Sequence, residues 1–103
     1  MLYTLDMKAI KTKRGAKTSQ QLERHLKGIA NHRRIDILIL VAKNPGITLE
    51  QIAESLDCNM KTISEHTRRL VQGGLLNKSY QGRKVEHELS PYGIRFYKFI
   101  AHF

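Results

Sequence analysis

The sequence predicts a mostly α-helical fold with one small β-hairpin: about five helices plus a two-stranded extension. Three features point to it. The stretch Thr48–Leu76, TLEQIAESLDCNMKTISEHTRRLVQGGLL, holds a short amphipathic helix, the break Asp57-Cys58-Asn59 and a longer helix. Directly after it, Leu75–Gln81 and Val85–Ser90 alternate as strands do, on either side of Gly82-Arg83-Lys84. Around that unit lie helical segments, each with an apolar stripe behind an N-cap residue. Helix, turn, helix and hairpin in that order make a winged helix-turn-helix, with the hairpin as the wing.

A chain of 103 residues, 41% of them hydrophobic, suits one folded domain rather than a disordered segment. It divides into a basic N-terminal arm, residues 1–17, and a domain over residues 18–103. The net charge of +9 and the pI near 10.0 lead one to expect an anionic partner. Residues 1–34 hold nine Lys/Arg against Asp6 and Glu23, and residues 60–103 hold eight against Glu65, Glu86 and Glu88. Between them, Lys43 faces Asp36, Glu50, Glu54 and Asp57. Positive charge therefore avoids the scaffold and gathers on the arm, the longer helix and the hairpin; a merely basic solvated surface is the competing reading. Cys58 is the only cysteine, which excludes an intramolecular disulfide. The longest apolar run, Ile37–Ala42, is too short to cross a bilayer, and the N-terminus lacks a signal-peptide pattern. A cytoplasmic location without a membrane partner is the expectation.

Met1–Lys17 mixes a weak apolar pattern (Leu2, Leu5, Ile10) with five cations. A phosphate-contacting arm and a frayed terminus both fit it. Thr18 and Gln21 form a capping box ahead of Leu22, Leu26 and Ile29, the stripe of a first helix. Asn31 caps a second, His32 to Lys43, which is apolar around most of its circumference through Ile35 and Ile37–Val41. Such a helix belongs at the centre of the fold. Asn44-Pro45-Gly46 ends it. Thr48 and Gln51 form another capping box, opening a third helix that buries Leu49, Ile52, Ala53 and Leu56. Asn59 caps the fourth helix, which Gly73-Gly74 stops. Ser90-Pro91 opens the last, with Tyr92, Phe96, Phe99, Ile100 and Phe103 on one stripe.

Taking Ile63 as inward at 100° per residue, Thr67, Leu70 and Gly74 also face the core. Lys61, Glu65, Arg68 and Gln72 then face out, with Thr62, Ser64 and Arg69 on the flanks. Hydrogen-bonding groups on the first two outward turns, and arginine near the end, suit insertion into the major groove of double-stranded DNA. An amphipathic surface helix shows the same outward charge, and the basic hairpin that follows favours the DNA reading. Lys61 is then expected to read a guanine edge or a phosphate, Glu65 to accept from cytosine N4, and Ser64 to reach either. Arg68, Arg69, Arg83 and Lys84 are expected to hold phosphates. Two apolar stripes remain, Leu22/Leu26/Ile29 and Tyr92/Phe96/Phe99/Ile100/Phe103. Packing of the terminal helices against a second copy in a C2 homodimer covers both; folding them onto the monomer's own core is the alternative.

Other chemistry finds little support. The chain has no Gly-rich phosphate loop, HExxH or nucleophile elbow, so no catalytic residue and no enzyme is expected. Its five histidines are dispersed, and no pair has ligand spacing on one helix face, so neither a metal nor another cofactor is expected. Cys58 lies near a helix N-terminus, and nothing else around it argues for a lowered thiol pKa. Two functions stay open: a DNA-binding transcriptional regulator with an unknown effector, and a winged-helix protein–protein adaptor with no specific DNA target.

Residues 26–93, from LKGIANHRRIDIL to GRKVEHELSPYG, resemble the ArsR-like winged-helix transcriptional regulators. The likeness is strongest in IANHRRIDIL, in LEQIAESL followed by ISEHTRRLVQGGLL, and in GRKVEHELS. It implies a dimeric DNA-binding repressor whose first and last helices form the dimer. By position, the family's base-reading residues fall on Met60, Lys61, Ser64 and Glu65. The chain departs from the pattern in places. His32 stands where proline is usual. Asp57 replaces a turn glycine, a position aspartate tolerates in a left-handed conformation. Thr67 replaces a core leucine, which implies weaker or rearranged packing beneath the helix. The thiolate pair and the His/Asp set through which some members bind metals are both absent.

Overall fold

Each helix begins where the sequence supplies an oxygen for its unpaired amides. The computed structural model describes residues 16–103. In it, α1 (Ser19–Ile29) is capped by Thr18, whose Oγ accepts from Gln21 N at 3.2 Å while the Gln21 side chain accepts from Thr18 N at 2.9 Å. Asn31 Oδ1 accepts from Arg33 N at 2.9 Å and starts α2 (His32–Lys43). Thr48 and Gln51 repeat the reciprocal box for α3 (Leu49–Ser55), and Asn59 Oδ1 accepts from Thr62 N at 2.8 Å to start α4 (Met60–Gln72). Ser90 caps α5 (Pro91–Ala101) and also donates to the Gly74 carbonyl at 2.6 Å, tying that helix to the end of α4. The anticipated helices are thus present among the described residues, while all but the root of the 1–17 arm lies outside them.

The sheet is larger than the expected pair of strands. β2 (Leu76–Gln81) and β3 (Lys84–Leu89) form the hairpin, and β1 (Ile47–Thr48) adds a third strand in the antiparallel order β1-β3-β2. Ile47 pairs with His87, and Gly46 N donates to the His87 carbonyl at 2.9 Å. Two residues are too few to show alternation, so sequence periodicity could not reveal β1. The hairpin closes through the pair Gln81–Lys84 around the two-residue turn Gly82-Arg83. Lys84 therefore belongs to a strand, and Arg83 alone is the basic tip.

The core gathers Ile37, Leu38 and Val41 of α2 with Ile52 and Ala53 of α3, Ile63 and Leu70 of α4, and Leu75 and Leu76. The central place expected for α2 is the one it occupies. Asp57 has φ 51° and turns the chain between α3 and α4 left-handedly, as expected of the residue in place of glycine. At its other end α4 stops in a Schellman motif: Leu75 N donates to Leu70 O and Gly74 N to Val71 O, both at 2.9 Å, with Gly74 at φ 75°. Thr67, in place of a core leucine, is buried and returns its hydroxyl to the Ser64 carbonyl at 3.0 Å.

Two histidines are internal struts. His25 is buried on α1; its Nδ1 donates to the Gly73 carbonyl at 2.6 Å, and its ring lies 4.9 Å from that of Tyr92. His87 is buried on β3, with Nδ1 donating to the Ile47 carbonyl at 3.2 Å; burial pushes its pKa down.

Candidate nucleic-acid interface

The helix α4 separates its two faces as its sequence requires. Ile63, Thr67 and Leu70 are buried, whereas Met60, Lys61, Thr62, Ser64, Glu65, Arg68 and Arg69 are all exposed. Met60, Lys61, Ser64 and Glu65 thus occupy the free surface of its first two turns. On the wing, Arg83 and Lys84 are exposed too, Arg83 in the turn and Lys84 one residue inside the ladder.

Charge on this surface is organised by Glu65. Its carboxylate receives Arg68 through two bonds, Nε at 3.1 Å and Nη2 at 2.6 Å, and Arg69 Nε at 3.1 Å. The Arg68 and then the Arg69 hydrogen bonds hold the Glu65 carboxyl below the usual carboxylate range. These pairs are solvent-exposed, so they orient side chains more than they stabilise the fold. Glu65, the residue expected to accept from cytosine N4, also joins the two arginines expected to hold phosphates.

A second link was not visible from spacing. Arg34 Nε donates to His66 Nδ1 at 3.3 Å, and Arg34 Nη1 donates to the Lys27 carbonyl at 3.2 Å. One guanidinium thereby joins the end of α1, the start of α2 and the flank of α4. Burial and then the Arg34 charge lower the His66 pKa, and His66 Nδ1 accepts the Arg34 Nε–H. The two residues are 32 positions apart, beyond any helical or strand period.

The apolar stripes of α1 and α5 meet on the surface. Leu22 (47% exposed), Leu26 (54%) and Phe99 (61%) are open to solvent, as are Tyr92 and Phe103. Leu26, Phe96 and Phe99 line one shallow groove. Phe96 and Ile100 are half-buried against the core, and Ile29 is only 8% exposed. Ile29 therefore departs from the expected dimer stripe: α1 turns it inward, and its side chain serves the subunit's own core. Lys17, at the root of the arm, lies 3.8 Å over the Tyr92 ring.

Among the described residues, no three His, Cys, Asp or Glu side chains are grouped to hold a metal ion. Cys58 is half-buried, its thiol directed to the Leu56 carbonyl at 3.4 Å. No described helix is long and apolar enough to cross a membrane.

Residues 30–81, half of the chain, match the model of the MarR family. That match falls on the helix-turn-helix and the first strand of the wing, and it names a different family from the ArsR-like regulators that residues 26–93 resemble. No curated protein matches the chain. Among solved structures, a homodimeric winged helix-turn-helix DNA-binding domain from Mycobacterium bovis, described as a possible ArsR-family regulator, is 26% identical. It superposes with a TM-score of 0.74 over 98% of this chain and 87% of its own. HlyU from Vibrio cholerae is 24% identical with a TM-score of 0.75, over 82% of this chain and 91% of that one. The transcriptional repressor PagR of Bacillus anthracis is 22% identical with a TM-score of 0.70, over 79% and 93%.

Proposed function

This chain belongs to the MarR family, and from that premise we propose that it is a homodimeric DNA-binding transcriptional regulator that acts as a repressor. Each subunit lays α4 in a major groove, with the two half-sites about one helical turn, ~34 Å, apart. Met60, Lys61, Ser64 and Glu65 meet base edges, Thr62 borders them, and Arg68, Arg69, Arg83 and Lys84 hold the backbone. One observation carries this reading: polar side chains are exposed on the first turns of a helix whose opposite face is buried, and a wing with an exposed basic tip follows that helix in the chain.

The dimer reading is supported by the groove shared by Leu26, Phe96 and Phe99 across α1 and α5. Leu22, Tyr92, Ile100 and Phe103 extend that surface. The homodimeric DNA-binding domain from Mycobacterium bovis, similar over nearly all of this chain, supports a homodimer that binds DNA. The repressor assignment rests on the ArsR-like resemblance of residues 26–93.

Binding to generic duplex, followed by fluorescence anisotropy across a salt series, tests the reading. Affinity should fall with salt on a log–log slope of roughly −0.9 per phosphate contacted. The double variant Arg83→Ala/Lys84→Ala should flatten that slope. Absence of duplex binding at low salt would favour a protein–protein adaptor instead.

A further inference from the structure

Between α1 and the C-terminal end of α4 lies a cleft of about 200 Å³, several times the roughly 30 Å³ of one liquid water. Arg24 and Lys27 come from α1, Arg34 from α2, and Arg69 with Gln72 from α4; the backbones of Gly28 and Gly73 complete the lining. Among the described residues no carboxylate lines it. Four cations thus converge on one small space, where an anion would be attracted by all four.

Their pairing elsewhere is incomplete. Lys27 reaches Glu23 at 3.5 Å and Arg69 reaches Glu65 at 3.1 Å, both exposed pairs of little strength. The Arg24 side chain has no ion pair among the described residues. Arg34 is held from two sides, by His66 at Nε and by the Lys27 carbonyl at Nη1, which leaves Nη2 without a hydrogen bond among the described residues. A guanidinium so fixed is already oriented, and its planar fork matches the oxygens of a phosphate.

We infer that this cleft binds a phosphate-type oxyanion, clasped by Arg24, Lys27, Arg34 and Arg69. The phosphate comes either from a nucleic-acid backbone passing the end of α4 or from a free phosphorylated small molecule. The chemistry is the same, and the site does not depend on the DNA reading.

The test titrates the full chain with inorganic phosphate at constant ionic strength, following amide and arginine Nε–H resonances. Saturable shifts centred on Gly28, Gly73 and Arg34 Nε are expected. Arg24→Gln/Lys27→Gln should weaken them by about tenfold or more per cation, and Lys98→Gln, an exposed cation on α5 outside the cleft, should leave them unchanged. Arg24 and Lys27 are exposed, so the fold should hold; should the double variant melt early, Arg24→Gln alone replaces it. Shifts that do not saturate, that spread equally over the wing, or that survive Arg24→Gln/Lys27→Gln overturn the inference. Where those shifts are lost, duplex binding identifies the source. A salt slope flattened by roughly 0.9 or more points to a DNA phosphate, and an unchanged slope points to a free ligand. If the wild type binds no duplex, the DNA reading fails while the phosphate titration still decides this one.

Discussion

Gly28 and Gly73 bring α1 and the end of α4 into direct backbone contact: a Cβ on Gly73 would stand 2.9 Å from the Gly28 Cα, and one on Gly28 3.0 Å from the Gly73 Cα. Gly73 has φ −73°, a conformation open to any residue, so glycine is needed there for space and not for backbone freedom. Gly73→Ala should therefore destabilise the fold by about 1–3 kcal/mol through overpacking. Chemical denaturation checks it. A neutral result would mean that the two helices can slide apart at no cost.

Glu65 restrains the two arginines beside it. Replacing it by glutamine removes the charge that holds Arg68 and Arg69. Duplex binding should then gain a steeper salt dependence, by roughly 0.9 per phosphate newly contacted, and discriminate less between sequences. Salt titrations on two unrelated duplexes measure both effects. An unchanged slope would mean that the arginines already leave Glu65 when DNA binds.

Stability should fall as the solution is acidified. His87 and His66 both have pKa values lowered in the fold. The unfolded chain thus binds protons more readily, starting near the usual imidazole value of about 6.5. Their contribution is complete above that value and is lost progressively as pH falls toward the lowered folded values. Melting temperatures between pH 8 and pH 5, both chosen to span about that window, should decline on the acid side. His87→Leu, which cannot take up the proton, should flatten the decline, and an equally steep profile in that variant would exclude His87.

The dimer is best tested at Phe99. Phe96 is half-buried against the core, so a charge there threatens the subunit itself. Phe99 is 61% exposed, and Phe99→Glu should yield a folded monomer by sedimentation velocity. A dimer that persists with Phe99→Glu rejects this interface.

Much was legible locally. Thr18, Asn31, Thr48, Asn59 and Ser90 each announced a helix start, because capping needs only the side chain and amides within three residues. The outward set on α4 followed from 100° periodicity, because burial of Ile63 and Leu70 forces Lys61, Ser64 and Glu65 into solvent. The expected alternation of β2 was less informative: only Leu76 is buried, because the rest of that strand projects beyond the core.

By itself, then, the sequence determined the order of helices and hairpin, the face that α4 presents and the excess of cations near it. Those properties arise from neighbours a few residues apart. Only the tertiary structure decided that β1 joins the sheet, that Ile29 turns into the core, and that Arg34 meets His66. It likewise decided that Gly28 crosses Gly73 and that four cations from three helices share one cleft. Each of these depends on how helices cross, and crossing is set by the summed packing of the whole core rather than by any short-range pattern.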